Sequence, residues 1–110
     1  MGDAEQAKKA LVNSLMISSE IKATAISMTA ICGFGRLFES NYDYLKTIEL
    51  FHFVECSAEN QSTKKEASQA LQRLSDKISA KDLEAVHKRV HTMTIESVTR
   101  ELIGLFDTRE

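Results

Sequence analysis

The sequence predicts an all-α fold, a four-helix antiparallel bundle-like domain with two long helices. Three observations carry this reading. The 110 residues include no Pro and only four Gly, too few of the residues that build frequent chain reversals for a turn-rich β architecture. Apolar residues recur at helical spacing along most of the chain. Paired capping signals punctuate that periodicity, a short polar side chain accepting from an orphan N–H at the start of each apolar run. A composition of 43% hydrophobic and 27% charged residues suits one globular domain over 1–110 and excludes a chain too polar to offset its ordering entropy.

The capping pairs Asp3/Gln6, Ser40/Asp43, Thr63/Glu66 and Ser79/Asp82 set helices at about 4–32, 41–59, 64–78 and 80–106. The first begins at Asp3 and ends at Gly33-Phe34-Gly35. Within it, Leu11 to Gly35 carries only Glu20 and Lys22 as charges, a length that would span a bilayer. Two charges and several hydroxyls near its centre argue instead for a helix wrapped by protein. Its Ala23, Ala25, Ser27, Ala30 and Gly33 allow close approach of a neighbouring helix, from this chain or a second copy. In the second helix Tyr44, Ile48, Phe51 and Val54 make one apolar face, while Leu50 and Phe53 add another, so it is expected to be covered on two sides. Ala67, Leu71, Leu74 and Ile78 form the stripe of the third helix; Leu83, Val86, Val90, Val98 and Leu102 belong to that of the fourth. The first and last helices would each run about 40 Å and the third only about 22 Å. Unequal lengths leave apolar ends uncovered, so self-association into a dimer is expected to complete the bundle.

The net charge of −2 supplies no overall basic field for nucleic acid. Cys32 and Cys56 are too few for a secreted disulfide framework and read as buried free thiols. With no leader recognisable at Met1-Gly2-Asp3, a cytoplasmic location is expected.

All three histidines share one constellation. His52 precedes Cys56 by four residues and His87 precedes His91 by four, so each pair projects from one side of its helix. Were the two helices to meet, His52, Cys56, His87 and His91 would approach a tetrahedral set suited to zinc. A Glu stands three residues before each pair, Glu49 before His52 and Glu84 before His87. This spacing resembles the Glu-x-x-His ligation of ferritin-like di-iron bundles, yet a helical wheel sets Glu49 away from the apolar face and beside Lys46, as a solvated carboxylate. Val90-His91-Thr92-Met93 is superficially similar to histidine-phosphotransfer domains, but Thr94 and Ile95 stand where those carry Lys and Gly.

Basic residues concentrate in 64–100, which holds eight Lys/Arg against five Asp/Glu. Lys64, Lys65, Arg73, Lys77, Lys81, Lys88 and Arg89 are the candidate phosphate contacts of a nucleic-acid-binding alternative, with 63–90 as a helix-turn-helix. Interspersed acids and missing aromatics weigh against it. No phosphate loop, nucleophile elbow or Cys-x-x-Cys is present, and no cofactor is expected. The sequence therefore reads as a non-enzymatic regulator, adaptor or inhibitor acting through protein–protein interaction, with Phe34, Leu37, Phe38, Leu50 and Phe53 as candidate partner-binding anchors.

Overall fold

The computed structural model describes residues 2–106, with side-chain surroundings from 6 to 105. Every regular element in that range is helical: α1 (Gly2–Glu20), α2 (Thr24–Ser40), α3 (Tyr44–Ser57), α4 (Gln61–Arg73), α5 (Ala80–Val90) and α6 (Ile95–Phe106). The all-α class is correct and the count of four is not. Each long helix is two.

The break at 21–23 arises from a left-handed residue where Gly was missing from the sequence. Lys22 adopts φ 58°, Ala23 N–H donates to Ser18 O at 2.8 Å and Lys22 N–H to Ser19 O at 3.3 Å. These are the two bonds of a Schellman closure. The same motif reverses the chain at Tyr42, φ 64°, where Asp43 N–H reaches Phe38 O and Tyr42 N–H reaches Glu39 O, each at 2.9 Å. The break at 91–94 is a hydroxyl device. Thr94 Oγ1 accepts from Ser97 N–H at 3.1 Å, and Ser97 Oγ accepts from Thr94 N–H at 3.0 Å, a reciprocal cap of the Ser/Thr kind.

The expected caps fare unevenly. Ser79 caps α5, accepting from Asp82 N–H at 3.1 Å. Asp43, not Ser40, caps α3, and Asn60, not Thr63, caps α4. Ser40 Oγ instead donates to Leu37 O at the close of α2, and Thr63 lies inside α4. Asp3 falls outside the residues with described side chains.

α2 and α3 are central. α1 and α6 pack on α2 and on each other, while α4 and α5 pack on α3. α2 runs straight through Gly33 and Gly35, which serve contact rather than termination. A Cβ on Gly33 would stand 2.5 Å from Leu11 Cδ2, and one on Gly35 would stand 2.9 Å from Phe51 Cε2. The expected close approach at Gly33 and Ser27 is thus met within the chain. Ser27 shares a 2.7 Å hydrogen bond with Ser18 of α1, both buried, which satisfies two hydroxyls at once. Leu15, Ile31, Phe34, Phe51, Leu74 and Leu102 are among the fully buried side chains of one continuous core. Among the described residues no helix is long and apolar enough to cross a membrane.

Candidate functional site

α3 is covered on more than one side, as its two apolar faces require. Leu50 and Phe53, with Phe34 of α2, are almost wholly buried in the chain's own core, and Leu37 and Phe38 are half-buried against it. None of the first three is a surface anchor. Their apolarity is explained by burial against neighbouring helices of the same chain.

α4 and α5 both pack on α3 but not on each other. The helix-turn-helix reading therefore lacks its packed helix pair. Between them lies a groove of about 610 Å³ lined by His52 and Glu55 of α3, Lys65, Ser68, Gln69, Leu71 and Gln72 of α4, and Leu83 and His87 of α5.

The chemistry of this groove centres on His52. Its ring lies 4.2 Å, centroid to centroid, from that of His87. Its Nδ1 is buried without a hydrogen-bond partner and sits 3.4 Å from Glu55 Oε1. Burial pushes the His52 imidazole below its ordinary value; the charge of His87, and less that of His91, adds to this, while Glu55 opposes it. Glu55 Oε2 accepts from Ser68 Oγ at 2.5 Å. The carboxylate thus stands between hydroxyl and imidazole. This order differs from a nucleophilic triad, in which the imidazole contacts the hydroxyl.

Of the four expected metal ligands, the structure brings His52 and His87 into contact. Cys56 is exposed, and the described residues contain no group of three or more His, Cys, Asp or Glu placed to hold a metal. Cys32 is buried as expected; burial pushes its thiol up, outweighing the opposing charge of Arg36.

One turn along α3 from the His52 position, Glu49 departs from its expected solvated state. It is 3% exposed. Its Oε1 accepts from Lys46 Nζ at 3.0 Å and its Oε2 forms an ion pair with Arg89 Nε at 2.9 Å, while Lys46 also reaches Glu101 at 2.7 Å. The carboxylate ties α3 to α5 and, through Lys46, to α6. Burial alone would lower the Lys46 ammonium, but its bonds to Glu101 and Glu49 outweigh that and hold it above the usual range.

The basic candidates are largely engaged. Arg73 makes two bonds to Glu39, at 2.8 and 3.2 Å, Arg89 holds Glu49, Lys88 lies 3.9 Å from Glu84, and Lys77 sits 5.6 Å over the Tyr44 ring. Lys64, Lys65 and Lys81 make no ion pair among the described residues. Four of the seven thus have a carboxylate or ring partner and three do not.

Sequence reasoning missed Glu55 and Ser68. The i,i+3 spacing of His52 and Glu55 would have found the first; nothing local would have found the second, which comes from another helix. A smaller recess of about 120 Å³ opens at the start of α6, lined by Ser18, Lys22, Ser27, Glu96 and Thr99 among others; its one cation and one carboxylate leave no net field.

Comparison with protein-family models, with curated proteins and with solved structures finds no match to this chain.

Proposed function

We propose that the protein is a non-enzymatic helical adaptor that receives a segment of a partner protein in the groove between α4 and α5. The single observation that supports this is the gap itself: two helices share α3 as a floor without closing on each other. Leu71 and Leu83 give the groove apolar lining beside polar side chains from three helices, the mix found in grooves that accept a peptide. The reading moves the interaction surface from Phe34, Leu50 and Phe53, which are core, to the side of α3 that carries His52 and Glu55. The free thiols of Cys32 and Cys56 support a reducing compartment, and the cytoplasm is the location that goes with this reading.

A photo-crosslinking side chain at the exposed Gln69 or Gln72 tests the proposal. Discrete adducts from these positions, absent from the outward Lys88 position and competed away by excess protein without the probe, are expected. Adducts only from Lys88, or none, would refute it.

Self-association is the second reading, favoured by Ile17 in the last turn of α1 and Ile21 just past its end, 59% and 65% exposed. Light scattering should then give twice the chain mass; a single-chain mass at all concentrations removes it.

A further inference from the structure

We propose that the recess between the α1–α2 turn and the start of α6 binds a free α-amino acid with a small side chain, its carboxylate seated toward Lys22 and its ammonium toward Glu96. The recess shares no lining residue with the groove on α3, so the inference stands independently of the partner reading.

Two opposite charges that do not meet motivate this. Lys22 and Glu96 both line the recess, yet neither forms an ion pair among the described residues. They come from different elements: Lys22 occupies the left-handed position of the α1–α2 turn, and Glu96 stands in the first turn of α6. The backbone adds to the cationic side. α2 starts without a side-chain cap and without an acid in its first turn, so nothing in the chain offsets the positive end of its dipole. The recess therefore carries both signs and no net charge, which disfavours a simple anion or cation and matches a ligand that carries both.

The hydroxyls between these charges support the same reading. Thr99 of α6 is 6% exposed and lines the recess, and its Oγ1 has no hydrogen-bond partner among the described residues. That oxygen is not sealed in the core, so it opens on the recess, where a polar ligand would satisfy it as donor or acceptor. Ser18 and Ser27 differ. Ser18 Oγ donates to Leu15 O at 3.2 Å, so the 2.7 Å bond between the two serines takes its proton from Ser27. Both protons are spent within the chain, and the lone pairs that remain suit an ammonium.

Size sets the side chain. The recess holds about 120 Å³, the share of about four waters at ~30 Å³ each, which is the bulk of glycine, alanine or serine and less than that of leucine or a peptide. Ile95 is the one apolar residue in its wall, a surface for a methyl or hydroxymethyl group.

The test titrates the full chain with glycine, alanine, serine and leucine and follows amide shifts by NMR. Saturable shifts confined to residues 18–27 and 95–99 with the small amino acids, and none there with leucine, bear the proposal out. Propionate and ethylamine, each alanine stripped of one charged group, should bind about tenfold more weakly. Lys22→Gln and Glu96→Gln should each weaken alanine about threefold to tenfold. Thr99→Val should weaken it to a like extent with Tm unchanged, because in the free protein its hydroxyl has no bond to lose. Propionate or ethylamine binding as tightly as alanine overturns the proposal in favour of a single-charge site. Glycerol binding as tightly makes the recess a neutral polyol site and overturns it too, and the absence of a saturable shift with any small amino acid overturns it outright.

Discussion

Replacing Glu49 with alanine should cost the protein about 2 kcal/mol of stability, a figure that starts from the ~3–5 kcal/mol typical of removing one partner from a buried ion pair. Two features reduce it. Arg89 is 61% exposed at its side chain and regains water when its carboxylate is lost. Lys46, only 15% exposed, keeps its 2.7 Å bond to Glu101. Unfolding entropy of about 2.1 cal/mol/K per residue over 110 residues turns 2 kcal/mol into a fall in Tm of about 8–9 °C. The assay is urea unfolding by circular dichroism, checked by calorimetry, with Arg89→Gln as comparison. That change removes the exposed partner and leaves Glu49 bonded to Lys46, so its cost should be about 1 kcal/mol or less. A loss below about 0.5 kcal/mol for Glu49→Ala, the range of ordinary surface changes, would refute the account and return Glu49 to solvent.

Three further outcomes are expected. Alanine scanning of glycines should order by what the new Cβ meets: Gly104→Ala, in open space, gains about 0.5–1 kcal/mol; Gly33→Ala, against the flexible end of Leu11, stays near neutral; and Gly35→Ala, against the buried Phe51 ring, loses about 1 kcal/mol net of the helix gain, all measured as shifts in urea midpoint. Lys22→Gly and Tyr42→Gly should each raise stability by about 0.5–1 kcal/mol, because a left-handed conformation costs a side-chain-bearing residue about 1–2 kcal/mol and glycine returns part of that as unfolded-state entropy; a drop in Tm would show that the side chains compensate. Because the folded state holds the His52 imidazole below its ordinary value, the unfolded chain takes up the proton first, so its contribution is complete above about pH 6.5 and is lost as pH falls below that. Urea midpoints between about pH 7 and 5 should slope less steeply in His52→Gln than in the parent; equal slopes would mean the ring is solvated.

Helical class, the Ser79 cap and the two-sided burial of the second apolar run were legible because each is a local or periodic property. The breaks at Lys22 and Thr94 were less so. A Schellman closure normally advertises itself by Gly or Asn, and here Lys and Tyr occupy the left-handed position. Gly33 and Gly35, which look like a helix stop, are spacers whose purpose shows only once Leu11 and Phe51 are in place. For the candidate site, the i,i+4 pairs showed which side of each helix His52 and His87 share with Cys56 and His91. Which members would meet depends on how α3 and α5 are rotated against each other, and that is set by the whole core. Glu49 was misjudged for a related reason: a helical wheel reports the face, whereas burial depends on the second helix that comes to cover it.

The packing of α6 back onto α1 also bears on how the molecule assembles. α1 with α2, α2 with α3, and α3 with α4 are sequence neighbours joined by short turns, so their contacts close small loops and can form quickly. The α1–α6 contact spans most of the chain and carries the largest closure entropy. It should form late, after the central hairpins, so that disturbing Leu102 or Val98 hastens unfolding while leaving the folding rate nearly unchanged.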